Sequence, residues 1–214
     1  MKRPMSAPTR SVAGLVLAAG GSRRMGAGTN KLLEEVGGKP LVLWPVDALL
    51  DAGVDPLLIV LGHQASRVRA LLADRGVSFV EHDDWAQGMA GSIARGAREL
   101  ERLGADCEGL AVVLGDLPAL RASHVLPLVE AFASAPAGAI CLPVHAGRRG
   151  HPVLFDRRYL GELTALEGEG GARRILDRHA SRVLEVEVSS DAVLADVDTP
   201  EALARARARA RARA

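Results

Sequence analysis

Aromatic side chains are scarce in this 214-residue chain, and neither sign of charge dominates. Aromatic residues make up 3% of the sequence, so leucine, valine and alanine must fill the core that a hydrophobic fraction of 48% provides. The formal net charge is +1. Such a balance gives no general attraction to nucleic acids or anionic membranes, so we expect neither as a partner. Any affinity for anions must come from local clusters of cationic residues.

Cysteines and long apolar runs are also lacking. The two cysteines, Cys107 and Cys141, stand far apart and in no metal-binding spacing, which favours buried free thiols in a reducing cytoplasm. No apolar run approaches the ~18 residues of a membrane-spanning helix. Residues 1–10 carry charges and two prolines without an apolar segment, so they indicate a flexible tail rather than a signal peptide.

Several familiar motifs of catalysis and phosphate binding are missing. Gly21 and Gly26 have the glycine spacing of a Walker A loop, but Ala27 stands where that loop has its lysine. The dinucleotide fingerprint Gly-x-Gly-x-x-Gly is absent, as is the Gly-x-Ser-x-Gly elbow of serine hydrolases. No cluster of histidine and cysteine has the spacing of a zinc site.

An apolar stretch followed by a glycine turn is the most informative local pattern. Residues 12–19 are apolar and long enough for one buried strand, and Gly20 and Gly21 follow directly. Glycines allow a sharp turn whose N–H groups can approach a ligand, and Arg24 and Lys31 add positive charge. This combination favours a phosphate site over a plain strand–turn connection with solvated arginines.

Predicted strands alternate with predicted helices along most of the chain. That pattern is typical of an α/β fold in which a mostly parallel sheet has helices on both faces, a three-layer α/β/α sandwich. Because ligands of such sheets bind at the carboxyl ends of the strands, we expect the loops after Ala19, Leu61, Val80 and Leu114 to share one edge. The predicted strands cover residues 12–19, 56–61, 77–80, 110–114, 139–144, 151–155 and 183–188, and the predicted helices cover residues 40–51, 64–75, 93–103, 123–132 and 172–178, with a final helix from residue 200.

Aspartates follow two of the apolar segments. Asp116 comes directly after the predicted strand 110–114, where a carboxylate can bind Mg²⁺ or simply cap a turn. Asp196 and Asp198 are two residues apart, so they share one side of an extended backbone, although either can cap the last helix.

The chain ends in alternating alanine and arginine. Arginines two apart lie about 200° around a helix and make no single basic face, and those four apart repel each other. We therefore expect a frayed extension rather than a nucleic-acid-binding arm. The expected organisation is a flexible tail over residues 1–11, one domain over residues 12–203 and an Ala/Arg extension over residues 204–214.

Residues 17–26 read LAAGGSRRMG and are followed by Lys31. This sequence resembles the signature of the MobA-like nucleotidyltransferases. Four further segments are similar to that family: residues 83–93, residues 150–153, residues 170–173 and residues 196–203. The closest branch is the molybdenum cofactor cytidylyltransferases. The resemblance implies a Rossmann-like sheet of the nucleotide-diphospho-sugar transferase type.

The resemblance also implies a set of functional residues. The catalytic group would be Arg24, Lys31 and Asp116, and Mg²⁺ would be bound by Asp116 with Asp198. His82 departs from the family, which usually has asparagine or aspartate at that position. The nucleotide would be bound by Leu17, Ala18, Ala19, Gly20, Gly21, Ser22, Lys31, His82, Gly88 and Ser92.

The acceptor would be bound by Arg148 and His151, since the segment around residues 150–153 lies near the acceptor in that family. The implied reaction transfers a nucleotidyl group, CMP from CTP, to a molybdopterin-type acceptor and releases pyrophosphate. A molybdoenzyme or its chaperone would be the protein partner. Two alternatives remain: a guanylyl- or sugar-phosphate nucleotidyltransferase of the same fold, and a cofactor-binding chaperone without catalysis.

Overall fold

The computed structural model describes residues 10–26, 28–168 and 170–212. In chain order, the strands are β1 Val12–Ala18, β2 Glu35–Val36, β3 Lys39–Pro40, β4 Leu57–Leu61, β5 Ser78–Glu81, β6 Gly109–Leu114, β7 Ile140–His145, β8 Arg148–Arg149, β9 Val153–Asp156 and β10 Val183–Glu187. The α-helices are α1 Leu43–Asp51, α2 Ala65–Leu72, α3 Met89–Arg102, α4 Ala122–Ser134, α5 Leu160–Thr164, α6 Arg173–Arg178 and α7 Pro200–Arg211.

An eight-stranded mixed sheet forms the centre of the molecule, in the order β10-β7-β9-β6-β1-β4-β5, with β8 paired to β7. β1 lies between β4 and β6 and is parallel to both. β9 runs antiparallel to β6 and β7, and β8 runs antiparallel to β7. The mostly parallel sheet predicted from the sequence is therefore confirmed.

The side chains of β1 alternate between two apolar cores. Val12 and Val16 pack on the face that α1, α2 and α4 cover. Ala13 and Leu15 pack on the other face, which α3, α5 and α6 cover. Because successive strand residues point to opposite faces, a strand that is apolar throughout indicates burial on both sides, and this produces the three predicted layers.

The segment around Pro40 differs from the prediction. Pro40 does not begin a helix; it lies in β3, which pairs with β2 in a two-stranded antiparallel hairpin, and α1 begins at Leu43. Gly37 and Gly38 have φ angles of 61° and 77°, which suit the two-residue turns that join hairpin strands. The Gly-Gly pair thus forms a hairpin before the helix starts. The short helix α5 has no counterpart among the predicted elements.

The Ala/Arg segment is a helix rather than a frayed extension. α7 continues to Arg211, begins with Pro200 in its first turn and is capped by the Thr199 side chain, which accepts from the backbone N–H of Ala202. Ala206 and Ala210 pack against the small apolar cluster beside the hairpin. Tertiary packing therefore stabilises a helix whose charge pattern alone disfavours it.

At the other end of the chain, residues 1–9 of the predicted tail lie outside the described residues. Arg10, the next residue, is anchored, because its guanidinium lies 2.6 Å from the Asp156 carboxylate and 3.8 Å from the centre of the Phe132 ring. Both cysteines are buried free thiols, as predicted. Among the described residues, none of the helices has the length and apolar character needed to span a bilayer.

Candidate active site

A cleft of about 410 Å³ lies at the carboxyl-end edge of the central strands. The turn after β1, the loop after β5 and Asp116 after β6 all line it, which confirms that these loops share an edge. The loop after β4 lies just beneath, because Gly62 packs against the Trp85 side chain and the Ala19 carbonyl. Asp196 and Asp198 close one side of the cleft.

Lys31 is the central cation of this cleft. Its ammonium donates to the carboxylate of Asp116 and, at 2.6 Å, to that of Asp198. Arg24 reaches Asp198 from the outer side, with 3.1 Å between the two groups. The backbone N–H of Val197 donates to the Asp116 carbonyl at 3.1 Å, so the two aspartate segments are joined directly. Residues that are up to 167 positions apart in sequence thus form one charged cluster.

Three carboxylates meet here. Asp116, Asp196 and Asp198 each offer an oxygen, and these atoms lie within 4.8 Å of one another. One oxygen of Asp116 is buried and has no hydrogen-bond partner among the described residues. A buried polar atom without a partner is costly, and an all-oxygen donor set suits Mg²⁺ or Mn²⁺. The residues therefore fit a divalent cation.

Burial and charge compete within the cluster. Burial alone would lower the pKa of Lys31, but the attraction of Asp116 and Asp198 outweighs it and raises that pKa, which favours the charged ammonium. Burial raises the pKa of Asp116, against the attraction of Lys31. At Asp198 burial also acts upward, but the hydrogen bond from Lys31 prevails and lowers the pKa.

The turn after β1 offers backbone N–H groups as donors, and contacts with other segments hold it in place. Among the described residues, no acceptor is found for the backbone N–H groups of Gly20 and Gly21. A Cβ at Gly21 would lie 2.4 Å from the Trp85 ring, whereas one at Gly20 would meet nothing within 4 Å. Ser22 has a left-handed φ of 51°, and its hydroxyl accepts from the backbone N–H of Lys31 at 3.0 Å. The turn and the Lys31 segment are therefore fastened together.

Most of the predicted nucleotide-binding residues line the cleft, and two do not. Ala18 is buried in β1 and is not among the lining residues. His82 also does not line the cleft: its Nε2 is buried and has no partner among the described residues, and it lies 2.9 Å from the position of a Cβ on Gly91. The predicted residues that line the cleft are Leu17, Ala19, Gly20, Gly21, Ser22, Lys31, Gly88 and Ser92.

The predicted acceptor pair is divided between two other cavities. His151 lines a cavity of about 500 Å³ together with Arg149, Gly171 and Arg173. Arg148 instead lines a separate cleft of about 780 Å³ beside α7. Consecutive residues of the strand β8 point to opposite sides, so Arg148 faces away from Arg149, which shares the cavity of His151. The structure therefore does not bring Arg148 and His151 together in one cavity.

Burial favours the neutral form of the His151 imidazole. Burial lowers its pKa, against the opposing influence of the Val112 backbone and Asp196. Its Nδ1 is buried and has no hydrogen-bond partner among the described residues.

Two residues of the site were missed by the sequence analysis. Asn30 is buried; its amide donates to the His63 carbonyl at 3.1 Å, and its oxygen accepts from the backbone N–H of Leu32, so it fixes the Lys31 segment. Trp85 lines the cleft and packs against both Gly21 and Gly62. Asparagine is a common helix cap, and its position before Lys31 was the available signal for Asn30. Trp85 lies within residues 83–93, and the resemblance of that segment to the family was its available signal.

Comparisons with known proteins agree with this geometry. A family model described as the MobA-like NTP transferase domain matches residues 14–183. The chain is 30% identical over 200 residues to the nicotine blue oxidoreductase of Paenarthrobacter nicotinovorans, covering 91% of this chain and 95% of that protein. It is also 30% identical over 184 residues to the bifunctional protein GlmU of Pelobacter propionicus, covering 85% of this chain. The chain spans only 35% of that GlmU.

A solved structure of Rv0371c from Mycobacterium tuberculosis H37Rv has the same architecture. Its TM-score is 0.80 at 30% identity, covering 94% of this chain and 98% of that one. A complex of Rv0371c with manganese is similar at a TM-score of 0.76 and 28% identity, covering 92% and 98%. The match to the family model, the relatives and the shared architecture lead to one conclusion: this chain belongs to the MobA-like NTP transferase family.

Proposed function

We propose that this protein transfers a nucleotidyl group from a nucleoside triphosphate to a phosphate-bearing acceptor. An acceptor phosphate oxygen attacks the α-phosphorus, the bond from that phosphorus to the β-phosphate oxygen breaks, and pyrophosphate leaves. The observation that carries the proposal is the meeting of Lys31, Asp116 and Asp198 beside the glycine turn in one cleft. Positioning and charge neutralisation provide most of the catalysis in such a transfer.

The glycine turn and its cations hold the triphosphate in this proposal. The unpaired N–H groups of Gly20 and Gly21 donate to phosphate oxygens, and Arg24 and Lys31 neutralise the charge that develops on pyrophosphate. Gly88 and Ser92, which also line the cleft, would contact the nucleoside. These assignments keep the predicted roles of the residues that line the cleft.

Asp116 and Asp198 would hold a magnesium ion, with Asp196 close enough to contribute. The partnerless oxygen of Asp116 supports this assignment, and Lys31 would remain as a neighbouring cation. When bound, Mg²⁺ supplies positive charge to the phosphate oxygens that become more negative during transfer. The manganese complex of Rv0371c supports a divalent cation in this family without identifying which ion this chain uses.

The cavity around His151 is the proposed acceptor site. Arg149 and Arg173 line it with Leu17, which also lines the nucleotide cleft, so the two cavities adjoin. A phosphate on the acceptor is largely ionised near pH 7, so the reaction requires no general base. The neutral His151 would act by shape and hydrogen bonding.

The specific substrates follow from the resemblance of the motifs to the molybdenum cofactor cytidylyltransferases. The donor would be CTP and the acceptor the molybdopterin cofactor, and a molybdoenzyme or its chaperone in the cytoplasm would receive the product.

A screen of the four NTPs tests this proposal. Pyrophosphate release is measured with each NTP and Mg²⁺, with and without isolated molybdenum cofactor. We expect release only with CTP and cofactor together. Release with GTP, or with a sugar phosphate as acceptor, would instead support a related transferase of the same fold.

Two other roles have support of a different kind. The nicotine blue oxidoreductase relative raises a redox role, since the similarity covers nearly the whole of both chains. A cofactor-binding chaperone would bind molybdopterin without turnover. The cluster of Lys31 with three carboxylates favours transfer, because neither rival role requires it. Absence of pyrophosphate from every NTP would contradict the proposal and favour one of these roles.

A further inference from the structure

A second cleft, of about 780 Å³, lies between α7, the β2–β3 hairpin and residues 191–197. We call it the arginine cleft. Its volume is in the range of pockets for small ligands. The arginines that line it come from three parts of the fold: Arg121, Arg148, Arg205, Arg209 and Arg211.

Positive charge in the arginine cleft is only partly neutralised. Five arginines face two carboxylates, Asp191 and Asp196. Arg209 pairs with Asp191 at 2.7 Å. Within the described part of the chain, the guanidinium groups of Arg148, Arg205 and Arg211 have neither an ion-pair partner nor a hydrogen-bond acceptor.

Neighbouring arginines outside the cleft behave differently. Arg149, next to Arg148, pairs with Glu185 at 2.8 Å. Arg207, on another side of α7, pairs with Glu34 at 2.8 Å. Arg149 and Arg207 thus have carboxylate partners, whereas Arg148 and Arg205 have none among the described residues.

The tertiary structure assembles this charge. α7 turns Ala206 and Ala210 toward the hairpin, and Arg205 and Arg209, one helical turn apart, line the cleft. Cations four residues apart on a helix repel each other, so an anion bound between them reduces an existing electrostatic repulsion.

The floor of the cleft is apolar. Trp44, Leu194 and Val197 line it, and the Arg121 guanidinium lies 5.2 Å from the centre of the Trp44 ring. Charges beside an apolar floor interact more strongly than charges in open water. The planar guanidinium also matches phosphate oxygens with paired hydrogen bonds.

We propose that the arginine cleft binds a small molecule that carries at least two phosphate groups. Three unpaired guanidinium groups carry more positive charge than the about −2 of one phosphate group neutralises, and the apolar floor suits the body of such a ligand. Asp196 lines both this cleft and the nucleotide cleft, so the bound molecule would end beside the carboxylate cluster. The site is separate from the glycine turn and does not depend on the proposed transferase activity.

Calorimetric titration with inorganic tripolyphosphate, at about 0.15 M salt, tests this site. The unmodified protein should bind two equivalents, one at the glycine turn and one in the arginine cleft. The double variant Arg148→Ser/Arg205→Ser should lose one of them, with an affinity at least about tenfold weaker there. Lys31→Met should weaken the other. Because both substituted arginines are exposed and unpaired, the melting temperature should stay the same.

A matched control is Arg174→Ser/Arg182→Ser, which removes two exposed arginines from elsewhere on the surface. It should keep both binding events. The proposal is overturned if the cleft variant binds as the unmodified protein does, or if the control loses as much. The proposal is also overturned if a short oligonucleotide binds more tightly than tripolyphosphate and the cleft variant loses that binding. The ligand would then be a nucleic acid. If only the transferase proposal fails, the binding of tripolyphosphate that depends on Lys31 should be absent, and the binding in the arginine cleft should remain.

Discussion

At the scale of single residues, the chemistry of the site rests on charges that compensate one another. Lys31 lies between two carboxylates, and one oxygen of Asp116 has no partner among the described residues. Removing a carboxylate from this cluster should therefore affect turnover more than folding.

We expect Asp116→Asn to reduce pyrophosphate release at least about a hundredfold, as the loss of one electrostatic group at a reacting centre commonly does. The fold should survive, because Lys31 keeps Asp198 as a partner. Steady-state kinetics and thermal melting measure the two effects. Asp106→Asn, which changes a fully exposed carboxylate, is the control and should have normal kinetics. Near-normal turnover of the Asp116 variant would remove Asp116 from the catalytic group.

Gly21 is required by contact rather than by backbone conformation. A Cβ there would lie 2.4 Å from the Trp85 ring, so Gly21→Ala should displace the indole and lower the stability by about 1–3 kcal/mol. Gly20→Ala, where a Cβ meets nothing within 4 Å, is the matched control and should melt as the unmodified protein does. Urea denaturation compares the two. Equal stabilities would show that Trp85 does not restrict the turn.

At the scale of elements, α7 illustrates how packing overrides a local pattern. The spacing of its arginines places them on no single face. Even so, Ala206 and Ala210 pack beside Val36 of the hairpin and Leu41, which follows the hairpin. Arg207 also donates to the Glu35 carbonyl at 2.8 Å. The helix and the hairpin therefore stabilise each other.

Ala206→Asp should lower the stability by about 1–3 kcal/mol, because it places a carboxylate against an apolar cluster. Ala208→Asp, on the exposed side of the same helix, should change it by less than about 0.5 kcal/mol. Denaturation in urea gives both values, and hydrogen exchange of residues 35–40 locates the effect. Comparable losses in the two variants would indicate a general effect of negative charge on α7.

At the scale of the whole molecule, Asp156 joins parts that are distant in sequence. Its buried carboxylate accepts from the Arg10 guanidinium at 2.6 Å, from the Gly138 N–H at 2.9 Å and from the Arg158 N–H at 3.0 Å. Burial alone would raise the pKa of Asp156, but these donors outweigh it and hold the pKa below its ordinary value.

A depressed pKa in the folded state means that ionised Asp156 stabilises the fold above the unfolded pKa of ~3.9. We expect Asp156→Ala to cost about 3 kcal/mol near pH 7. The difference from the unmodified protein should shrink as the pH falls below ~4 and the carboxyl group becomes protonated in the unmodified protein. Urea denaturation at neutral and acidic pH measures it. A difference that is constant with pH would show that packing, not charge, is responsible.

Much of the fold was predictable because strands that are buried on both faces, such as β1 and β6, are apolar throughout and can be recognised in the sequence. The hairpin was not, since the Gly-Gly pair before Pro40 suits a turn into a helix as well as a turn between strands. Within the site, Lys31, Asp116 and the glycine turn were predictable because they follow strand ends or lie within recognisable motifs. The local sequence marks the positions of Asn30 and Trp85, but it does not show which distant segments they contact.

The sequence by itself determined the alternation of strands and helices, the glycine turn and the kinds of charged group at the strand ends, because these depend on periodicity and on residue type. Only the tertiary structure decided which charges meet. It brought Asp196 and Asp198 to Asp116, it separated Arg148 from His151, and it made one cleft from arginines of three segments. Such groupings depend on how distant segments pack on both faces of the sheet.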